Sequence, residues 1–141
     1  MTTYQALNLE QPNIPKDPPC LDLSILIGFL GENNPLEIID FLTVFQIEAT
    51  KLTAEIIQAI RAEQIAVVFE AAHQLKSSSH TVGAMELSEL CSALEAAGRA
   101  DDLATINTLL PDFEQGWNAV NSQIKRHLYS SQSNLRKMKL V

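Results

Sequence analysis

The sequence predicts an all-α fold: an antiparallel four-helix bundle with a short additional N-terminal helix. Three observations carry this reading. Apolar residues recur at mostly three- and four-residue spacing through the long segments of the 141-residue chain, the period of a helix buried along one side. No convincing run alternates polar and apolar residues with the period of two that marks a half-buried strand. Turn signals separate the periodic stretches by only a few residues, and short loops make consecutive helices antiparallel neighbours.

Residues 1–20 read as an irregular lead-in. Pro12, Pro15, Pro18 and Pro19, four of the six prolines, fall there, and each fixes φ and removes a backbone donor. Asp22 is placed to cap a short helix that ends near Gly31, since a carboxylate accepts from free first-turn amides and glycine tolerates a left-handed stop. Asn34-Pro35 is a start signal, with asparagine as cap and proline at the first helical position. The helix that follows reaches about Ala62, with Leu36, Ile39, Leu42, Phe45, Leu52, Ile56 and Ile60 as its apolar set.

A third helix is expected over residues 64–81, with Ile65, Val68, Ala72, Leu75, Ser79 and, just beyond its end, Val82 in one core stripe. Gly83 closes it or begins the next, as a plain C-cap, a point of close helix approach, or both. The fourth helix covers residues 85–97, with Leu87, Leu90, Cys91 and Leu94 inward and Gly98 ending it. Asp101 or Asp102 caps the last helix. Pro111 lies inside it, so a kink or break is expected there, with the helix resuming through Trp117, Val120, Ile124 and Leu128. The bundle thus occupies residues 21–130, and residues 131–141 form a basic tail.

Length, composition and charge narrow the function. A chain of this length builds one core, and 46% hydrophobic with 19% charged residues is an ordinary globular balance. No stretch approaches the roughly 20 apolar residues of a membrane span; the best, Leu21 to Leu30, is shorter and includes Asp22. The start, MTTYQALNLEQ, lacks the basic residues and apolar run of a secretory leader, so a cytoplasmic location is expected. The net charge of −7 hides an asymmetry: Lys125, Arg126, Arg136, Lys137 and Lys139 follow Gln123, and no acidic residue does. The first 124 residues set 5 basic against 17 acidic groups, which does not suit nucleic-acid binding. The basic end could touch a membrane surface or an acidic partner; the plainer reading is a solvated helix end and a frayed terminus. Cys20 and Cys91 form no C-x-x-C pair, so neither a redox nor a zinc site is indicated. Cys91 sits in an apolar helical pattern as a small hydrophobe, and Cys20 reads as a free thiol.

The chemistry is concentrated in Ala71 to Ala84, AAHQLKSSSHTVGA. On a helix, His73 lies roughly 125° from the middle of the core stripe, beside Ala66, Glu70 and Ser77. Lys76 follows one turn later, close enough to offset an anion carried on the ring. Ser77 and Ser78 are small and leave the imidazole open. A neutral imidazole nitrogen is nucleophilic near neutral pH, so this surface suits a phosphoryl carrier; the plain alternative is a solvated surface histidine. His80 shares the His73 side, and with Glu70 it raises the question of a metal. The seven-residue spacing separates the two rings by about 10.5 Å along the axis, unlike the H-x-x-x-H of helical zinc sites, and no metal is expected. No phosphate-binding loop is present, and no Ser-His-acid constellation is visible. Autokinase activity is therefore not expected, and Ser77 and Ser78 act as spacers.

These residues resemble the histidine-containing phosphotransfer (HPt) family. Its members carry H-x-L-K-G-S-(S/A) on one helix, then Gly-Ala, then a helix patterned L-x-x-L-C-x-x-L-E. The matching residues are His73, Leu75, Lys76, Ser78, Ser79, Gly83, Ala84, Leu87, Leu90, Cys91, Leu94 and Glu95. A looser resemblance extends over about Leu21 to Leu128. Ser77 stands where the family usually has glycine, which narrows a partner's closest approach. The resemblance implies a four-helix bundle in which His73 takes a phosphoryl group from a receiver-domain aspartate and gives it to a response-regulator aspartate. It implies that Lys76 stabilises that group and that Glu95 accepts a hydrogen bond from the inner ring nitrogen; otherwise Glu95 is a solvated carboxylate. Gly83 would serve close helix approach near the site. The partners would be receiver domains of hybrid kinases and response regulators, which bring the aspartate and Mg²⁺. The chain itself would need no cofactor and would be a carrier, not an enzyme. A non-phosphorylated helical adaptor is the main alternative, and a membrane-associated bundle using the basic tail is a third. The pairing of His73 with Lys76 favours the carrier, and the lack of an extended apolar face in Leu128 to Val141 weighs against the membrane.

Overall fold

Five helices make up the structure, a computed structural model that describes residues 20–140, apart from the side chains of residues 132 and 134–140. They are α1 (Leu23–Leu30), α2 (Pro35–Arg61), α3 (Ile65–Thr81), α4 (Met85–Arg99) and α5 (Leu103–Leu140), and no strand occurs among the described residues. Of the expected proline-rich lead-in, residues 1–20, all but Cys20 lies outside them.

Local chemistry sets most of the boundaries. Asp22 Oδ1 accepts from the Ser24 amide at 3.1 Å, and Gly31 ends α1 at φ 84°. Asn34 Oδ1 accepts from the amides of Leu36 and Glu37, with Pro35 opening α2. Asp102 opens α5, accepting from the Thr105 amide at 3.1 Å and its hydroxyl at 2.6 Å.

The three tight connections share one device. Glu63, Gly83 and Asp101 adopt φ of 57°, 83° and 55°. The next amide then reaches back to a carbonyl of the helix just ended: Gln64 to Ala59, Ala84 to Ser79 and Asp102 to Ala97. Each closure satisfies last-turn carbonyls and reverses the chain within three residues. Consecutive long helices are therefore antiparallel neighbours, and α5 returns against α2 to close the bundle.

Two of the expected breaks do not occur. Gly98 does not end α4, which runs on to Arg99. A Cβ on Gly98 would lie 3.2 Å from the Phe69 Cβ, so this glycine serves the approach of α4 to α3. Pro111 does not interrupt α5, which is helical to Leu140 through most of the basic tail. Asn107 and Pro111 are both exposed, so water can satisfy the carbonyl that the proline leaves without a donor.

The core runs the length of the bundle, from Leu26 and Leu42 at one end to Ile60 and Ile106 at the other. In α2 the buried set is Ile38, Leu42, Phe45, Ala49, Thr53, Ile56, Ala59 and Ile60. Leu36 is exposed, and Ile39 and Leu52 are only half-buried. Leu42, Phe45, Ile56 and Ile60 of the apolar set do pack inward, but α2 is apolar on several faces, with Val44 and Ile47 also exposed, so spacing alone does not pick the inner one. Phe45 meets Trp117 of α5 edge to face at 6.4 Å, and Gln46 Nε2 donates to Asn121 Oδ1 at 2.8 Å.

The start of α1 is tied to the α3–α4 connection, where the Asp22 amide donates to the Gly83 carbonyl at 2.9 Å. A Cβ on Gly83 would lie 1.9 Å from the Asp22 carbonyl oxygen. The close approach at Gly83 is thus to the chain entering α1, not to a long helix beside His73, which is about 15 Å away along the α3 axis. Cys20 and Cys91 are free thiols. Cys91 is fully buried, and desolvation pushes its thiol up to about 12.

Candidate functional site

The inward stripe of α3 settles where His73 points. Val68, Ala72, Leu75 and Ser79 are buried, as is Val82 just past the helix, while Ile65 is half-buried. His73 therefore emerges from the outer side of α3, with its side chain 60% exposed.

On α4, Leu87, Cys91 and Leu94 fill the core, and Glu95 follows directly on the flank that meets α3. Its side chain is only 6% exposed, so the carboxylate needs compensation for lost hydration. Three basic side chains surround it. Glu95 Oε2 lies 2.5 Å from His73 Nδ1, Lys76 Nζ donates to Oε1 at 2.5 Å, and Arg99 Nη2 stands 3.7 Å from Oε2. The Lys76 hydrogen bond, helped by that from His73, holds the carboxyl below the usual range even though burial pushes the other way.

The electrostatics fix the tautomer. An ionised carboxylate only accepts, so the proton shared with Glu95 belongs to Nδ1. In the neutral ring Nε2 then keeps its lone pair, on the side away from the carboxylate. The arrangement is an oriented nucleophile with a buried negative charge behind it, able to steady positive charge that develops on the ring.

Lys76 is more constrained than its spacing suggests. It is one turn from His73, but its ammonium is bound to the carboxylate and its side chain is 32% exposed. Ser88 adds a hydrogen bond to the Lys76 carbonyl at 3.1 Å. Ser77 is exposed, and Ser78 bonds locally to the Gln74 and Leu75 carbonyls at 3.3 Å. Lys76, Ser77, His80 and Ser88 line a shallow open cleft beside His73. Glu70 and His80 are exposed, and among the described residues no group of three His, Cys, Asp or Glu could hold a metal ion.

Arg99 is the site residue that sequence reasoning missed. Its guanidinium lies over the Phe69 ring, 5.4 Å from the centroid, and Phe69 is one turn before His73. The available signal was its position four residues after Glu95, the spacing of a helical ion pair.

The exposed imidazole and its buried carboxylate sit on a helical bundle, and comparison with known proteins gives the family of that bundle. The family model of the Hpt domain matches residues 40–127, well over half of the chain, and the chain belongs to that family. Hpt proteins are phosphotransfer carriers in phosphorelays, not conventional enzymes, and they interact with receiver domains. Among solved structures, histidine-containing phosphotransfer protein B (HptB) from Pseudomonas aeruginosa is similar over 81% of this chain and 98% of its own, with 24% identity and a TM-score of 0.72. The histidine-containing phosphotransfer protein MtHPt2 from Medicago truncatula is similar over 97% of this chain and 90% of its own, with 23% identity and a TM-score of 0.64. At these identities the likeness is one of fold. No curated protein matches the chain.

Proposed function

We propose that His73 accepts a phosphoryl group from the aspartate of one receiver domain and passes it to the aspartate of another, on a response regulator. The observation that carries this is the bond between His73 Nδ1 and the buried Glu95, on a ring whose other nitrogen faces outward.

In the accepting step the Nε2 lone pair attacks phosphorus in line with the acyl oxygen of the aspartyl phosphate. The Nε2–P bond forms, the O–P bond breaks, and the aspartate carboxylate leaves with that electron pair. The Nδ1 proton stays in place, and Glu95 offsets the positive charge of the substituted ring. Delivery is the reverse with a second aspartate. Such transfers need alignment and charge compensation more than covalent machinery, and the receiver brings its aspartate and Mg²⁺. Lys76, one turn beyond the ring, supports the phosphorylated state through its bond to Glu95, while Ser77 and Ser78 keep the approach low. The chain is regenerated in each cycle. Hybrid kinases and response regulators as partners would imply a cytoplasmic location. Among the described residues no helix is long and apolar enough to cross a membrane.

Incubation with a phosphorylated receiver domain tests the reading. An acid-labile, base-stable adduct should map to His73, and His73→Gln should fold but take up no phosphate. His80 variants should accept it as the parent does. Phosphate on His80 or His127, or none on the chain, would overturn the assignment.

A further inference from the structure

We infer that Arg99 is the cation that contacts the phosphoryl group on His73, whereas Lys76 acts through Glu95 as a positioning residue. The inference rests on His73 being the acceptor and divides the labour among the groups around it.

The two cations are held differently. Lys76 Nζ is 2.5 Å from Glu95 Oε1, and the glutamate side chain is only 6% exposed. No other contact to Oε1 within hydrogen-bond distance is seen among the described residues. Moving Lys76 toward the phosphoryl group would leave a buried carboxylate oxygen without a partner, which costs its full desolvation. Arg99 carries no such obligation. Its Nη2 stands 3.7 Å from Oε2, an oxygen already bonded to His73, and its side chain is 69% exposed.

Position also favours Arg99. It shares Glu95 Oε2 with His73 Nδ1, at 3.7 and 2.5 Å, so Nη2 lies at most about 6 Å from Nδ1 of the ring that carries the phosphoryl group, within the range where charges act strongly on one another. The contact with the Phe69 ring, 5.4 Å from its centroid, places the guanidinium against α3 one turn before His73. Gly98 makes that seat possible, since any larger residue would press on the Phe69 Cβ at 3.2 Å. Arginine presents several donors in a planar fork that matches phosphoryl oxygens. A short swing exchanges the long contact to Glu95 for the new dianion and leaves the Lys76–Glu95–His73 chain intact.

The test uses the full chain and potassium phosphoramidate, which needs no partner protein. The Nε2–P bond forms as the P–N bond breaks and ammonia leaves. Labelling of His73 is followed by mass spectrometry, and the ring tautomer and titration by ¹⁵N NMR. Arg99→Ala should slow labelling, or shorten the lifetime of the phosphohistidine, by roughly tenfold with the tautomer unchanged. Arg99→Lys should recover part of the loss. Lys76→Ala should instead shift the ring's tautomer or titration. Parent behaviour in Arg99→Ala would overturn the inference while His73 is still labelled. So would a tautomer change in Arg99→Ala matching that of Lys76→Ala. A parent chain without label at His73 would overturn the acceptor reading, and this inference with it.

Discussion

Glu95 reaches across from α4 to meet His73 Nδ1 at 2.5 Å, although 22 positions separate the two residues. The contact joins the stability of the α3–α4 seam to the chemistry of the ring, because the same buried carboxylate serves both.

Glu95→Gln should therefore weaken both. The amide keeps an acceptor for Nδ1 but loses the charge that steadies the phosphorylated ring, so transfer should slow by roughly tenfold or more. The sign of the pH effect follows from its lowered pKa. A carboxyl whose folded value lies below its unfolded value contributes stability above the unfolded value and loses it as pH falls through the folded one. The parent should lose this contribution as pH drops below the ordinary glutamate value of 4.5. Urea midpoints measured from about pH 6 to pH 3 should fall more steeply for the parent than for Glu95→Gln. Parallel curves would show that the Glu95 carboxyl binds protons alike in the folded and unfolded states, so that folding does not lower its pKa.

How much of this was legible in the sequence depends on how local each cause is. Asp22, Asn34-Pro35 and Asp102 declare helix starts through bonds to amides two or three residues away; the first two were readable outright, and the third down to a choice between Asp101 and Asp102. His73 and Lys76 share a helix, so their adjacency was readable too. The inner face of α2 was readable only in part: Leu42, Phe45, Ile56 and Ile60 pack inward, but Val44 and Ile47 are as apolar and stay exposed. Gly98 was misread since glycine marks both a stop and a close approach, and only Phe69 on another helix distinguishes them. The carboxylate behind His73 was reached through family resemblance. Arg99 was missed because its spacing from Glu95 gains meaning only once α4 is seen packed against α3.

The glycines at the two ends of α1 allow a matched comparison. Gly31 and Gly83 have almost the same φ, 84° and 83°, but a Cβ meets nothing within 4 Å at Gly31 and the Asp22 carbonyl at 1.9 Å at Gly83. Gly31→Ala should cost only the left-handed penalty of about 1–2 kcal/mol. Gly83→Ala should cost clearly more, because the Asp22–Gly83 hydrogen bond must also give way. Equal losses in chemical denaturation would mean that the start of α1 moves aside freely.

The thiols should differ as sharply. Cys91 is fully buried with its thiol raised to about 12, whereas Cys20 is half-buried. Thiolate is the reactive form, so a disulfide reagent should titrate one thiol in the native chain at pH 8 and the second only on unfolding. Rapid reaction of both would contradict the packing of Cys91.

Ser77 tests whether the surface over His73 is where a receiver docks. It is exposed and lies four residues beyond the histidine, on the same side of α3 and at the edge of the cleft that Lys76, His80 and Ser88 complete. A partner must bring its aspartate to Nε2, so bulk here obstructs the approach without touching the core. Ser77→Phe should leave the unfolding free energy within about 0.5 kcal/mol of the parent in urea titration and slow transfer from a phosphorylated receiver. Labelling by phosphoramidate, a far smaller donor, should be much less affected. Ser77→Gly should transfer at least as fast as the parent, at a stability cost of up to about 1 kcal/mol. A folded Ser77→Phe chain that accepts from the receiver at the parent rate would put the docking surface elsewhere on the bundle.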